Sequence, residues 1–168
     1  MSADFKKLFS TPLIICLSFI AVLAAVVIFD FFFLDLARRT FVFYTLKDGG
    51  IVVEDRMLKH AETKEGDIIR YAEETLLGPV TPDLLPLFPK ETKLISLLYR
   101  EGVVYVNFTS DAAMPPLEGG VTIDNFRTFH AGILRNFSYV SDVRFFIEGT
   151  AVYTEGFRHE NAKLFFWN

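Results

Sequence analysis

A single cysteine, Cys16, stands among 168 residues, so no intrachain disulfide can form and the redox compartment is left unmarked. Basic charge is also scarce. Lys and Arg number 17 against 21 Asp and Glu, for a net charge of −4. Setting aside the four basic and three acidic residues of 1–39 leaves 13 basic and 18 acidic ones. That balance excludes a phosphate-backbone binder, which needs a basic stripe, and no nucleic-acid partner is expected. No glycine-rich phosphate loop, internal repeat or low-complexity tract is present. Ser96, Ser110, Ser138 and Ser141 lack the context of a nucleophile elbow. His60 and His159 stand near Glu62 and Glu160 without the spacing of a zinc site, and His130 sits beside an apolar helical stripe and reads as structural. Asp111 and Glu118 flank Pro115-Pro116 as solvated loop carboxylates. No catalytic residue, cofactor or metal is therefore expected.

What the chain has is apolar surface, at 51% hydrophobic residues, concentrated near the N-terminus. Leu13–Leu34 is apolar except for Cys16, Ser18 and Asp30, and as a helix it would cross a bilayer. Twelve Leu, Ile, Val or Phe residues between Leu13 and Phe29 favour insertion by about 4–7 kcal/mol. Asp30 would cost about 2.5–3.5 kcal/mol at the bilayer centre, but it lies in the last turns, within reach of the interface. A cleaved signal peptide has a shorter apolar region and a small-residue cleavage site, whereas this run ends in FDFFFLDLARR. Leu13-Ile14-Ile15-Cys16 opens the apolar run, where a lipidation box would close it. Lys6 and Lys7 before the span balance Arg38 and Arg39 after it, so charge leaves the orientation tied.

Thr40–Asn168 is long enough for one domain with its own core. Thr40–Leu46 predicts a strand, Lys47–Gly50 a turn, and Ile51–Leu58 a second strand. Lys64–Leu77 predicts a helix stopped by Gly78-Pro79. A proline loop leads into the strands Leu94–Tyr99 and Val103–Phe108, with Arg100-Glu101-Gly102 as their turn and Gly102 where positive φ is needed. Ile123–Phe137 carries Phe126, Phe129, Ile133, Leu134 and Phe137 on one stripe and predicts a second helix. Asp142–Ile147 alternates as a strand, Glu148-Gly149-Thr150 turns, and the tail ends in Leu164-Phe165-Phe166-Trp167.

Three stretches carry a resemblance. In Glu74–Lys93 a helix ends at Gly78-Pro79 and enters a proline loop. Leu94–Ser110 holds the hairpin with its Gly-Val-Val-Tyr-Val strand, and Gly132–Gly149 runs from the second helix into a strand closed by an acidic-Gly turn. In this order they resemble the GerMN domain of the sporulation and spore germination family, over about Ile51–Val152. Glu91 departs from the family's usual Gly, and Thr122-Ile123-Asp124-Asn125 replaces its Ser-x-Glu helix start. The resemblance implies an α+β fold in two layers, a mixed sheet with two helices on one face, similar in topology to ring-building modules. It implies a bacterial extracytoplasmic domain and no catalytic residues. It also breaks the orientation tie: a cytoplasmic tail at 1–12, a transmembrane helix at 13–34 in the inner membrane, the domain at 40–153 in the periplasm, and an apolar tail at 154–168 packing on or extending it.

Gly78, Pro79, Gly102 and Gly149 are expected to define the fold. The expected site is the second sheet face, where Ile95, Leu97, Tyr99, Val103, Tyr105 and Phe146 would form an aromatic-aliphatic patch. The first hairpin or the Phe165–Trp167 tail would be its competing covers. Left open, the patch suits other envelope proteins or a second copy of the chain, in a ring or collar of a secretion channel or flagellar motor type. Peptidoglycan is the alternative partner, with Tyr99, Tyr105 and Trp167 as stacking surfaces.

Overall fold

A computed structural model of the chain describes residues 11–29, 35–45, 50–115 and 122–152. Two compact units divide it, Met1–Leu36 and Ala37–Asn168, the boundary falling after the first residue of the first strand. The first contains α1 (Thr11–Phe29). Its apolar side chains surround the whole circumference and stay exposed, from Leu13 at 42% to Val27 at 65%, so no stripe is set aside for a protein core. Ser18 returns its hydroxyl to the Ile15 carbonyl at 2.8 Å, which satisfies the group within the helix. Pro12–Phe29 is long and apolar enough to cross a membrane. Residues 30–34 of the expected span lie outside the described residues.

The second unit holds β1 (Leu36–Thr45), β2 (Ile51–Lys59), α2 (Lys64–Leu77), β3 (Leu84–Leu85), β4 (Leu94–Arg100), β5 (Val103–Phe108), a 3-10 turn (Ser110–Ala113), α3 (Thr122–Asn136), β6 (Asp142–Ile147) and β7 (Thr150–Ala151). Each end of α2 has a local cause. Thr63 accepts the Gly66 N–H at the start, and Glu65 and Asp67 sit in the first turn against the positive end of the dipole. Gly78 ends it at φ 85° with its N–H on the Thr75 carbonyl, and Pro79 cannot continue.

The architecture is α+β with two sheets. β4-β5-β6-β7 is the mixed sheet: β5 and β6 run parallel, joined across α3, while β4 and β7 pair antiparallel at its margins. β2-β1-β3 forms a separate sheet, so the first hairpin does not join the four strands. β3 reaches only Tyr44 and Thr45 of β1. Further along β1, α3 takes over the pairing. The Asn136 side chain accepts the Thr40 N–H at 2.8 Å and donates to the Thr40 carbonyl at 2.7 Å.

The core is aromatic. Phe41 of β1 stacks on Tyr71 of α2 at 4.7 Å, Tyr71 meets Phe129 and Phe137, and Phe129 meets Phe88, Phe108 and Phe145. This chain of rings links both sheets through both helices. Every one of these side chains is buried, each stabilising the fold by about 1.5–3 kcal/mol. Gly132 lets α3 come this close, since a methyl group there would lie 2.3 Å from the Tyr71 hydroxyl.

Candidate functional site

The hairpin β4–β5 decides which side chains face out. Glu101 and Gly102 both take positive φ, 51° and 82°, which makes a two-residue turn with Arg100 opposite Val103. The expected turn was one residue longer, and a one-residue slip sends every side chain of a strand to the other face. Directly opposite residues share a face, and Leu97 pairs with Val106 and Tyr99 with Val104, both partners fully buried. Leu97 and Tyr99 therefore belong to the inner face, a correction to the expected patch. Tyr99 is held there by structure: its N–H goes to Glu65, its hydroxyl to the Tyr139 carbonyl at 3.2 Å, and its ring stands edge-on to Tyr139.

Ile95 also departs from the expected alternation. The register shifts between Leu94 and Ser96, leaving Ile95 as the bulged residue, 47% exposed. The outer face is carried instead by Leu98, opposite Tyr105, together with Val103 and Phe146. Leu98 is 52% exposed, and Val103, Tyr105 and Phe146 are partly exposed. The Tyr105 and Phe146 rings lie 6.5 Å apart, and the Arg144 guanidinium stands 5.7 Å from the Tyr105 ring. Aromatic residues and arginine in one apolar patch are the composition of an interface core. Leu98 is the residue missed. A two-residue Glu-Gly turn was its signal, because the turn length fixes the parity of the strand before it.

The ionisable groups form a different kind of site. Arg56 donates to Glu54 at 2.8 Å, to the Glu74 carboxylate at 3.2 Å, and to the carbonyls of Glu74 and Gly78 at 3.2 and 2.7 Å. Its guanidinium also sits 4.8 Å from the Phe41 ring. Glu54 accepts the N–H groups of Val80 and Thr81. Desolvation pushes the Glu54 carboxyl up, but the bonds from Arg56, Thr81 and Val80 outweigh it and hold the group down at about 2. With its oxygens occupied and both side chains nearly buried, this pair clamps the end of α2 and is not poised for proton transfer.

Asp67 takes the Ala61 N–H and the His60 ring at 2.6 and 2.9 Å, and buried His130 lies 3.8 Å from Asp142. Asp111 accepts from the Thr109 hydroxyl. Among the described residues no group of three His, Cys, Asp or Glu side chains could hold a metal ion. Glu118, His159, Glu160 and the Phe165–Trp167 tail lie outside the described residues.

Residues 42–153 match the family model described as Germane, sporulation and spore germination. The chain belongs to that sporulation and spore germination family. Its match takes in all three stretches that carry the resemblance. Two solved structures share the fold. The first GerMN domain of the sporulation protein GerM from Bacillus subtilis aligns with a TM-score of 0.52 at 14% identity, over 69% of this chain and 86% of that one. The tandem GerMN domains of the same protein align with a TM-score of 0.51 at 17% identity, over 69% of this chain. This chain spans only 40% of the tandem structure's length. No curated protein matches the chain.

Proposed function

We propose that this family member is a non-enzymatic, single-pass protein of the bacterial cell envelope, whose GerMN domain docks other envelope proteins. α1 anchors it in the inner membrane with residues 1–12 in the cytoplasm, and the domain works in the periplasm. The observation that carries the docking is the outer face of the four-stranded sheet. Leu98, Tyr105 and Phe146 present apolar and aromatic surface there, where a sheet whose only task is to hold a core would present polar side chains. The assembly best suited to such a module is a ring or collar around an envelope-spanning machine. Crosslinking in intact membranes tests this. Wild-type protein should capture a defined envelope partner, and Leu98→Glu with Tyr105→Ser should lose it. Capture that is indifferent to these changes, or retention on purified peptidoglycan in place of a protein, would overturn the reading.

A further inference from the structure

We propose that β2 is a self-association edge, at which two copies of this chain pair antiparallel to join their three-stranded sheets. This interface is separate from the outer face of the four-stranded sheet and stands without it.

The four-stranded sheet blunts its margins. β4 carries a bulge at Ile95 and gives the Tyr99 N–H to Glu65, and β7 has two residues. β2 is different. It is nine residues long, forms one margin of its sheet, holds no proline, and among the described residues pairs with no strand on its far side. The Gly50 carbonyl accepts from Thr45 of β1, whereas the Lys59 carbonyl accepts from Arg70 of α2 at 2.6 Å. Main-chain groups alternate in direction along a strand, so those of Ile51, Val53, Asp55 and Met57 point away from β1. Beside that edge α2 stands back and leaves a groove between Met57 and Leu58 on the strand and Glu73 and Leu77 on the helix.

The exposed side chains select the occupant. Ile51, Val53 and Met57 are 41%, 46% and 57% exposed, and of the two exposed charges Asp55 is already paired with Arg38 while Lys59 stands at the end of the strand. A two-fold axis through Glu54 sets Ile51 against Met57 of the second copy, which buries apolar groups together, and Val53 against its Asp55, whose charge Arg38 already holds. Glu54 itself is turned inward to Arg56, so no bare carboxylate meets its copy. An axis through Asp55 would set two surface carboxylates face to face. The register about Glu54 also leaves Lys59 unpaired and its bond to Arg70 intact.

The test uses the full chain in detergent with Cys16→Ser. Ile51→Cys with Met57→Cys should give a covalent dimer on mild oxidation, because opposed Cα atoms about 5.5 Å apart fall within disulfide range. Six residues apart on one strand, the two thiols cannot reach each other within a chain. Each single variant should still associate but form no covalent dimer. Without oxidation, Val53→Glu should weaken dimerisation about tenfold by opposing Asp55, while Val53→Lys should not. A wild-type monomer, single variants that crosslink as well as the pair, or equal loss from both Val53 changes would overturn the proposal. Dimerisation that survives Val53→Glu but fails in Leu98→Glu would move self-association to the outer sheet face.

Discussion

The two faces of the four-stranded sheet are written in the same alphabet and live in different surroundings. On the inner face Val104, Val106, Phe108, Val143 and Phe145 are at most 1% exposed and share one core cluster with the buried side chains of α2 and α3. One residue along each strand, Val103, Tyr105 and Phe146 keep part of their apolar surface at the other side. The inner face carries the core. The outer face is the surface on which the proposed docking rests.

The largest expected effect breaks the inner face. Phe129→Ala removes the ring that joins α3 to Tyr71, Phe88, Phe108 and Phe145, and should cost about 3–5 kcal/mol in urea unfolding followed by circular dichroism. Gly132→Ala drives a methyl group into Tyr71 and should cost about 1–3 kcal/mol in the same measurement. The pH dependence sharpens the contrast further. Glu54 is held at about 2, so its stabilisation is fully present above the ordinary carboxylate range and is lost as pH falls from about 5 towards 2. Asp67, lowered by the Ala61 N–H and His60 against its own desolvation, acts in the same direction. The acid slope of the unfolding midpoint should flatten in Glu54→Gln. Smallest of all, Leu98→Glu on the outer face should change stability by no more than about 0.5 kcal/mol.

Much of this was legible locally. The 3–4 spacing of Ile68, Ala72 and Thr75 placed α2 at its observed bounds, and the alternation of Val143, Phe145 and Ile147 placed β6. The failures share a cause, since they depend on register or on distant partners. Leu97 and Tyr99 went to the wrong face because the hairpin turn holds two residues where three were expected. β1 begins at Leu36 instead of Thr40 because Asp55 and Asn136, far along the chain, hold Arg38 and Arg39. The separate first sheet rests on β3, whose two residues in a proline loop give no strand pattern. Arg56 and Glu54 read as ordinary strand charges until α2 and residues 80–81 close over them.

One measurement bears most directly on the division of labour between the two faces. Wild-type chain and Leu98→Glu/Tyr105→Ser are crosslinked in intact membranes and their unfolding midpoints compared. Loss of the captured partner at an unchanged midpoint is the predicted result. Undiminished capture, or a midpoint that collapses as it does for Phe129→Ala, would show that the outer face serves the fold and not a partner.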